Sequence, residues 1–148
     1  MIDRKPAFII RCKGIDDVKL AITFARENEL PLAVRGGGHS VAGYGVCDDG
    51  VVIDLSSMKA IEVNPEDNTA RAEPGLNWGE FDTETQKFGL AVTGGLITDT
   101  GIAGLTLGGG LGWLMRRYGQ TSDNLIEAEL VTADNRIVIA NKNKNSEL

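Results

Sequence analysis

The one histidine of the chain, His39, stands in 35-RGGGHSVAGYG-45, where five of eleven residues are glycine. An imidazole serves as nucleophile, general base or metal ligand according to its neighbours. Metal binding finds no support, because there is no second histidine and the carboxylates are scattered through expected helices and turns. A catalytic triad finds none either, because no serine or cysteine sits in a recognisable nucleophile setting. Two readings of His39 stay open: a structural histidine, or a neutral ring held in a loop as nucleophile toward a bound cofactor. The glycines raise the same choice. Three in a row weaken a fold unless the backbone there needs a special conformation or a close neighbour. A strand ending in consecutive glycines presents successive N–H groups with no side chains in the way, which is an anion-binding nest, and Arg35 could add charge. The alternative is a tight turn with close packing. Neither GxGxxG nor GxxxxGK[ST] occurs, so a dinucleotide bound here requires some other fold.

A second tract, Gly94 to Gly112 (GGLITDTGIAGLTLGGGLG), holds eight more glycines. The elements that must position the two tracts read as alternating strands and helices. Phe8 to Cys12 is a short apolar strand. Asp16 to Asn28 places Val18, Ala21, Ile22 and Ala25 at helical spacing, with Leu20 and Phe24 widening the stripe. Pro31 to Arg35 and Val51 to Leu55 are the next strands, making a βαβ unit with the first tract at a strand end. Ala60 to Val63 and Thr69 to Ala72 flank the turn-rich NPEDN and form a hairpin. Trp78 to Phe88 is a helix opened by Asn77 and stopped by Gly89. WLMRRYG is a short helix, and residues 125–132 and 136–140 are strands joined by Ala133-Asp134-Asn135. The expected class is α+β in two lobes, 1–58 and 59–148. Trp78, Phe81, Phe88, Trp113 and Tyr118 are expected to pack inward, and Glu80 to Glu84 with Glu127 and Glu129 to form solvated faces.

Composition narrows the partner. The 148 residues are 42% hydrophobic and 24% charged, ordinary for one globular unit. A net charge of −6 argues against nucleic acid and acidic membranes, which need clustered Lys and Arg. A small molecule is the expected partner. No apolar run approaches the roughly 20 residues that span a bilayer, and the amino terminus lacks signal-peptide form. Cys12 and Cys47 match no metal or disulfide pattern and read as free thiols, so a cytoplasmic setting is expected.

The blocks RGGGHS, VVIDLSSM, EPG and TGIAGLTLGGGLGWLMRRYGQTSDNLIEAELVTADN occur in this order over nearly the whole chain. Together they closely resemble the FAD-binding (PCMH-type) domain of berberine bridge enzyme-like oxidoreductases, in the vanillyl-alcohol oxidase class of flavoproteins. The resemblance implies a two-lobed FAD-binding fold. It implies that the FAD pyrophosphate meets the backbone of Arg35, Gly36, Gly37, Gly38, His39 and Ser40. It also implies that His39 bonds to the flavin 8α-methyl carbon. In the second tract, Gly95, Thr100, Gly101, Gly104, Leu105, Gly108, Gly109 and Gly110 would wrap the isoalloxazine and ribityl chain, and Ile137 would meet the adenine end through its backbone.

Two departures from the family qualify the expectation. Some relatives carry a second, cysteinyl bond, but the aligned position here is Ile97, so one covalent link at most is expected; Cys47 is expected to close its loop as a small, buried or partly buried residue. Relatives are also much longer, so this chain reads as truncated at both ends, without the substrate domain that usually supplies the catalytic base; the catalytic residues are therefore unassigned. Two functions follow. One is the FAD-binding part of an oxidase or dehydrogenase acting on an alcohol, sugar or similar substrate. The other is a non-catalytic FAD-binding or self-associating remnant, a homodimer through exposed edges.

Overall fold

The computed structural model describes residues 2–148. Three strands, β1 (Phe8–Arg11), β2 (Leu32–Arg35) and β3 (Val51–Asp54), form a parallel sheet in the order β1-β3-β2. The central strand, VVID, is buried along its length, as expected of a parallel strand covered on both sides. Register places Arg11, Asp54 and Arg35 side by side at the carboxyl edge. Helix α1 (Ile15–Glu27) links β1 to β2 and buries Ala21, Ile22 and Ala25. These meet Cys12, Ile53 and Met58 in the first core cluster. Leu20 is instead 68% exposed. At about 100° per residue it lies about 200° round from Val18, opposite the stripe. Phe24, nearer the stripe, packs edge-on against Phe8 with ring centroids 5.3 Å apart.

The second cluster gathers Leu76, Trp78 and Ile102, with Ile61, Ala72, Phe81, Val92 and Leu105 against it. It joins the hairpin β4 (Ile61–Asn64) and β5 (Thr69–Ala72) to α2 (Trp78–Gln86). Asn77 caps α2: its side chain accepts from the Glu80 N–H while the Glu80 carboxylate accepts from the Asn77 N–H. Glu80 also pairs with Lys59, so it is a structural carboxylate and not a merely solvated one. Phe88 lies past the helix end and is 49% exposed.

The glycine-rich second tract contains an unexpected helix, α3 (Ile102–Leu107), where IAGLTL has enough aliphatic residues to anchor a turn and a half on the second cluster. A four-residue helix α4 (Met115–Tyr118) and a 3₁₀ turn (Ser122–Asn124) follow. Trp113 and Tyr118 are 86% and 51% exposed, since no element among the described residues covers them. The antiparallel hairpin β6 (Glu127–Val131) and β7 (Ile137–Asn141) closes the chain. It comes from the second half yet leans on the first: Val131 packs on the first cluster, and Asn135 Nδ2 donates to Thr23 Oγ1 of α1 at 2.7 Å.

Candidate cofactor site at the two glycine tracts

β2 delivers the first tract at the carboxyl edge of the parallel sheet, the edge where open α/β sheets place ligands. Among the described residues, none of the backbone N–H groups of Gly36, Gly37, Gly38, His39 and Ser40 has a hydrogen-bond partner. Unpaired backbone donors must meet water or a ligand. A run of consecutive free N–H groups, unobstructed by side chains at three positions, is a cradle for an anion such as pyrophosphate.

The tract is held from beneath and from one side. Gly37 touches Gly101 backbone to backbone: an added Cβ at Gly37 would lie 2.4 Å from Gly101 Cα. Gly36 lies against the Pro74 carbonyl, where a Cβ would be 3.2 Å from the oxygen. Gly38 takes φ +76°, a left-handed conformation that favours glycine. Beyond it, Ser40 turns the chain, its Oγ accepting from the Tyr44 N–H at 3.1 Å and its carbonyl from the Gly43 N–H at 3.0 Å.

His39 is held between the tracts, with both ring nitrogens facing oxygen. Nδ1 is 3.0 Å from the Gly37 carbonyl and Nε2 is 3.5 Å from Asp99 Oδ1. The ring side chain is 44% exposed, so it is fixed in direction but open to a ligand. Asp99 is the only carboxylate of the second tract. That was a signal for a polar role, and the spacing pattern of glycines had hidden it.

The second tract is built in the same manner. From Gly94 through Asp99 no backbone N–H finds a partner among the described residues. Gly94 and Gly95 lie against the Trp78 indole, and Gly95 also against Leu105. Thr100 accepts from the Trp78 N–H at 3.0 Å, and Gly101 leads into α3, which carries Gly104 and Leu105. Gly108 ends that helix. Gly109 and Gly110 continue at φ +102° and +78° against Gln120 and Thr121, and not against the first tract. Gly112 folds back onto Gly94, where a Cβ would clash with the carbonyl oxygen. Ile137, the expected adenine-end residue, sits apart on β7, whose partner β6 contacts α1 and pairs Glu129 with Arg71.

Arg35 does not point its charge into the cradle alone. Its Nη1 donates to Asp54 Oδ1 at 3.2 Å. Burial pushes the Asp54 carboxyl up, but hydrogen bonds from Ser56 and the Arg35 guanidinium outweigh that and hold it below the usual carboxylate range. Among the described residues no group of three or more histidines, cysteines or acids is placed to hold a metal ion. No described helix is long and apolar enough to cross a membrane. Cys47 is partly buried, its Sγ directed at the Pro31 and Val51 carbonyls, and Cys12 is fully buried.

Comparison with known proteins agrees with this geometry. The family described as FAD binding domain matches residues 6–141. An FAD-linked oxidoreductase of Dictyostelium discoideum is 43% identical over 143 residues, covering 97% of this chain and 31% of that protein. The crystal structure of 6-hydroxy-D-nicotine oxidase from Arthrobacter nicotinovorans superposes with a TM-score of 0.95 at 37% identity, covering 97% of this chain and 32% of the other. The wild-type BBE-like 1 protein of Physcomitrella patens gives a TM-score of 0.93 at 30% identity over 97% of this chain and 32% of its own. The chain thus spans about a third of the length of these proteins.

Proposed function

The chain belongs to the FAD-binding domain family of FAD-linked oxidoreductases, and on that premise we propose that it forms the cofactor-holding part of an oxidase or dehydrogenase, with FAD attached through His39. Bound FAD supplies two-electron chemistry, accepting hydride at N5 from an alcohol, sugar or similar reduced centre and passing the electrons to oxygen or another acceptor. The residues fit that cofactor. The observation that carries the reading is the run of unpaired N–H groups from Gly36 to Ser40, clamped against Gly101 with His39 beside it.

Each group has a separable task. The Gly36–Ser40 backbone binds the pyrophosphate, and the contact with Gly101 keeps the tract from collapsing onto itself. His39, directed by the Gly37 carbonyl and Asp99, carries the link to the 8α-methyl carbon. The unpaired backbone from Gly94 to Asp99, with Gly94 and Gly95 against Trp78, would lie along the flavin. Ile97 stands at the position aligned with the cysteine that gives some relatives a second link, so one link at most is formed.

Mass spectrometry of the intact purified chain tests this. Mass should rise by one FAD, and acid-precipitated protein should stay yellow. His39→Ala should release the flavin on precipitation while keeping some noncovalent binding. Flavin that stays covalently attached in that variant refutes the assignment.

Self-association belongs to the same proposal. Trp113, Leu107, Ile126 and Leu111 are 86%, 72%, 70% and 58% exposed. The free edges of β1 and β2 also lack partners among the described residues. Exposed apolar side chains and open edges favour contact with a second copy. Light scattering over a dilution series should show mass rising with concentration, and a monomer at every concentration refutes it.

A further inference from the structure

Asp54 ends the central strand in register with Arg11 and Arg35, directly beneath the departure of the first glycine tract. It is 4% exposed, yet it carries a charge with defined partners. Oδ1 accepts from Arg35 Nη1 at 3.2 Å and from the Ser56 N–H at 3.0 Å, and Oδ2 lies 3.7 Å from Arg11 Nε. The same Arg35 guanidinium lies beside Gly38, nearest through its Nε and Nη2: an added Cβ there would be 3.1 Å from Nη2, 3.2 Å from Nε and 3.4 Å from Cζ. Nη1 of the guanidinium is therefore fixed on a buried carboxylate while its Nε–Nη2 side lies against the residue of the cradle with φ at +76°.

We propose that Asp54 is a positioning residue for the cofactor loop: by holding Arg35 against Gly38 it sets the backbone that presents the Gly36–Ser40 N–H groups. Arg35 is a strut in this arrangement, its guanidinium paired with Asp54, a carboxylate it shares with Arg11. A rigid fork suits the task, since one nitrogen can bond the carboxylate while the others lie against the loop. The inference rests on the reading that this loop holds the FAD pyrophosphate.

The test uses the 148-residue chain, FAD titration by flavin fluorescence, and NMR couplings that report the Gly38 φ in ligand-free protein. Asp54→Asn and Arg35→Gln should each weaken FAD by about tenfold, from loss of a charge-assisted hydrogen bond. The double variant should be no weaker than either single one, and the Gly38 couplings should move in all three. Additive losses, or couplings that stay at wild-type values, overturn the proposal. So does unchanged or tighter FAD binding in Asp54→Asn, the result expected if Arg35 were simply released toward phosphate. Should Asp54→Asn fail to fold, Arg35→Gln, whose site is 44% exposed, carries the test through the Gly38 couplings. Gly37→Val separates the two layers of argument. If it leaves FAD binding intact, the pyrophosphate reading fails. If it abolishes binding while the Asp54 and Arg35 variants bind normally, only the strut fails.

Discussion

Replacing Gly37 by alanine tests the contact between the tracts most directly. The added Cβ would lie 2.4 Å from both Cα and N of Gly101, and alanine at Gly101 would meet Gly37 N at 2.5 Å. Carbon atoms rest at about 3.5–4.0 Å, so the tracts must part by about 1 Å. Both partners are backbone, so no side chain can swing aside. Overpacking of this kind costs about 1–3 kcal/mol. Parting also stretches the flanking bonds from Trp78 N–H to Thr100 O and from Ile102 N–H to Leu76 O, both 3.0 Å and each worth about 0.5–1.5 kcal/mol. Since stretched bonds lose only part of that worth, a combined loss of about 2–3 kcal/mol is expected, which at about 2–4 °C per kcal/mol lowers the melting temperature by about 4–12 °C. Thermal denaturation by circular dichroism measures this on ligand-free protein, and FAD titration should show affinity down by about tenfold or more. Gly14→Ala is the control, because a Cβ there meets nothing within 4 Å and its backbone is extended. A Gly37→Ala chain that melts within about 1 °C of wild type and binds FAD normally would mean that the tracts do not touch in solution.

Gly109→Val should weaken FAD binding and stability together, since φ +102° strains a β-branched residue by about 1–3 kcal/mol; normal FAD affinity would confine this glycine to packing. Asn77→Ala removes the α2 cap and should cost about 1 kcal/mol, read as a lower urea midpoint at unchanged slope. Glu80 is held below the usual range by its hydrogen bond from Lys59, against burial and with help from the Asn77 N–H. Its contribution is therefore complete above the unfolded pKa of about 4.3 and lost as pH falls through the lower folded value, so wild type and Glu80→Gln should differ at pH 7 and converge in acid. Burial instead pushes Asp82 up, which disfavours its charged form in the folded chain. Asp82→Asn should raise stability at pH 7, and the gain should vanish once pH falls below the unfolded value of about 3.9.

Local chemistry made much of this protein legible in its residues. Strands β1 to β7 and helices α1, α2 and α4 follow from apolar spacing, Pro31, the Asn77 cap and turn residues such as Asn68 and Asn135, both at positive φ. These are interactions within a few residues, and a sequence displays them directly. Ordered blocks around the glycine tracts likewise carried the family and the cofactor. What the sequence alone did not decide depends on long-range contact. Helix α3 forms inside a glycine-rich run because Ile102 and Leu105 find Leu76 and Trp78 to pack on. Phe88 and Trp113 face outward because no element among the described residues lies over them, which their apolar character could not reveal. The pairing of Gly37 with Gly101, of His39 with Asp99 and of Arg35 with Asp54 joins residues 64, 60 and 19 positions apart. Such pairs are fixed by strand order and by the crossing of two loops, so only the folded chain brings the cradle, its imidazole and its supporting carboxylate together.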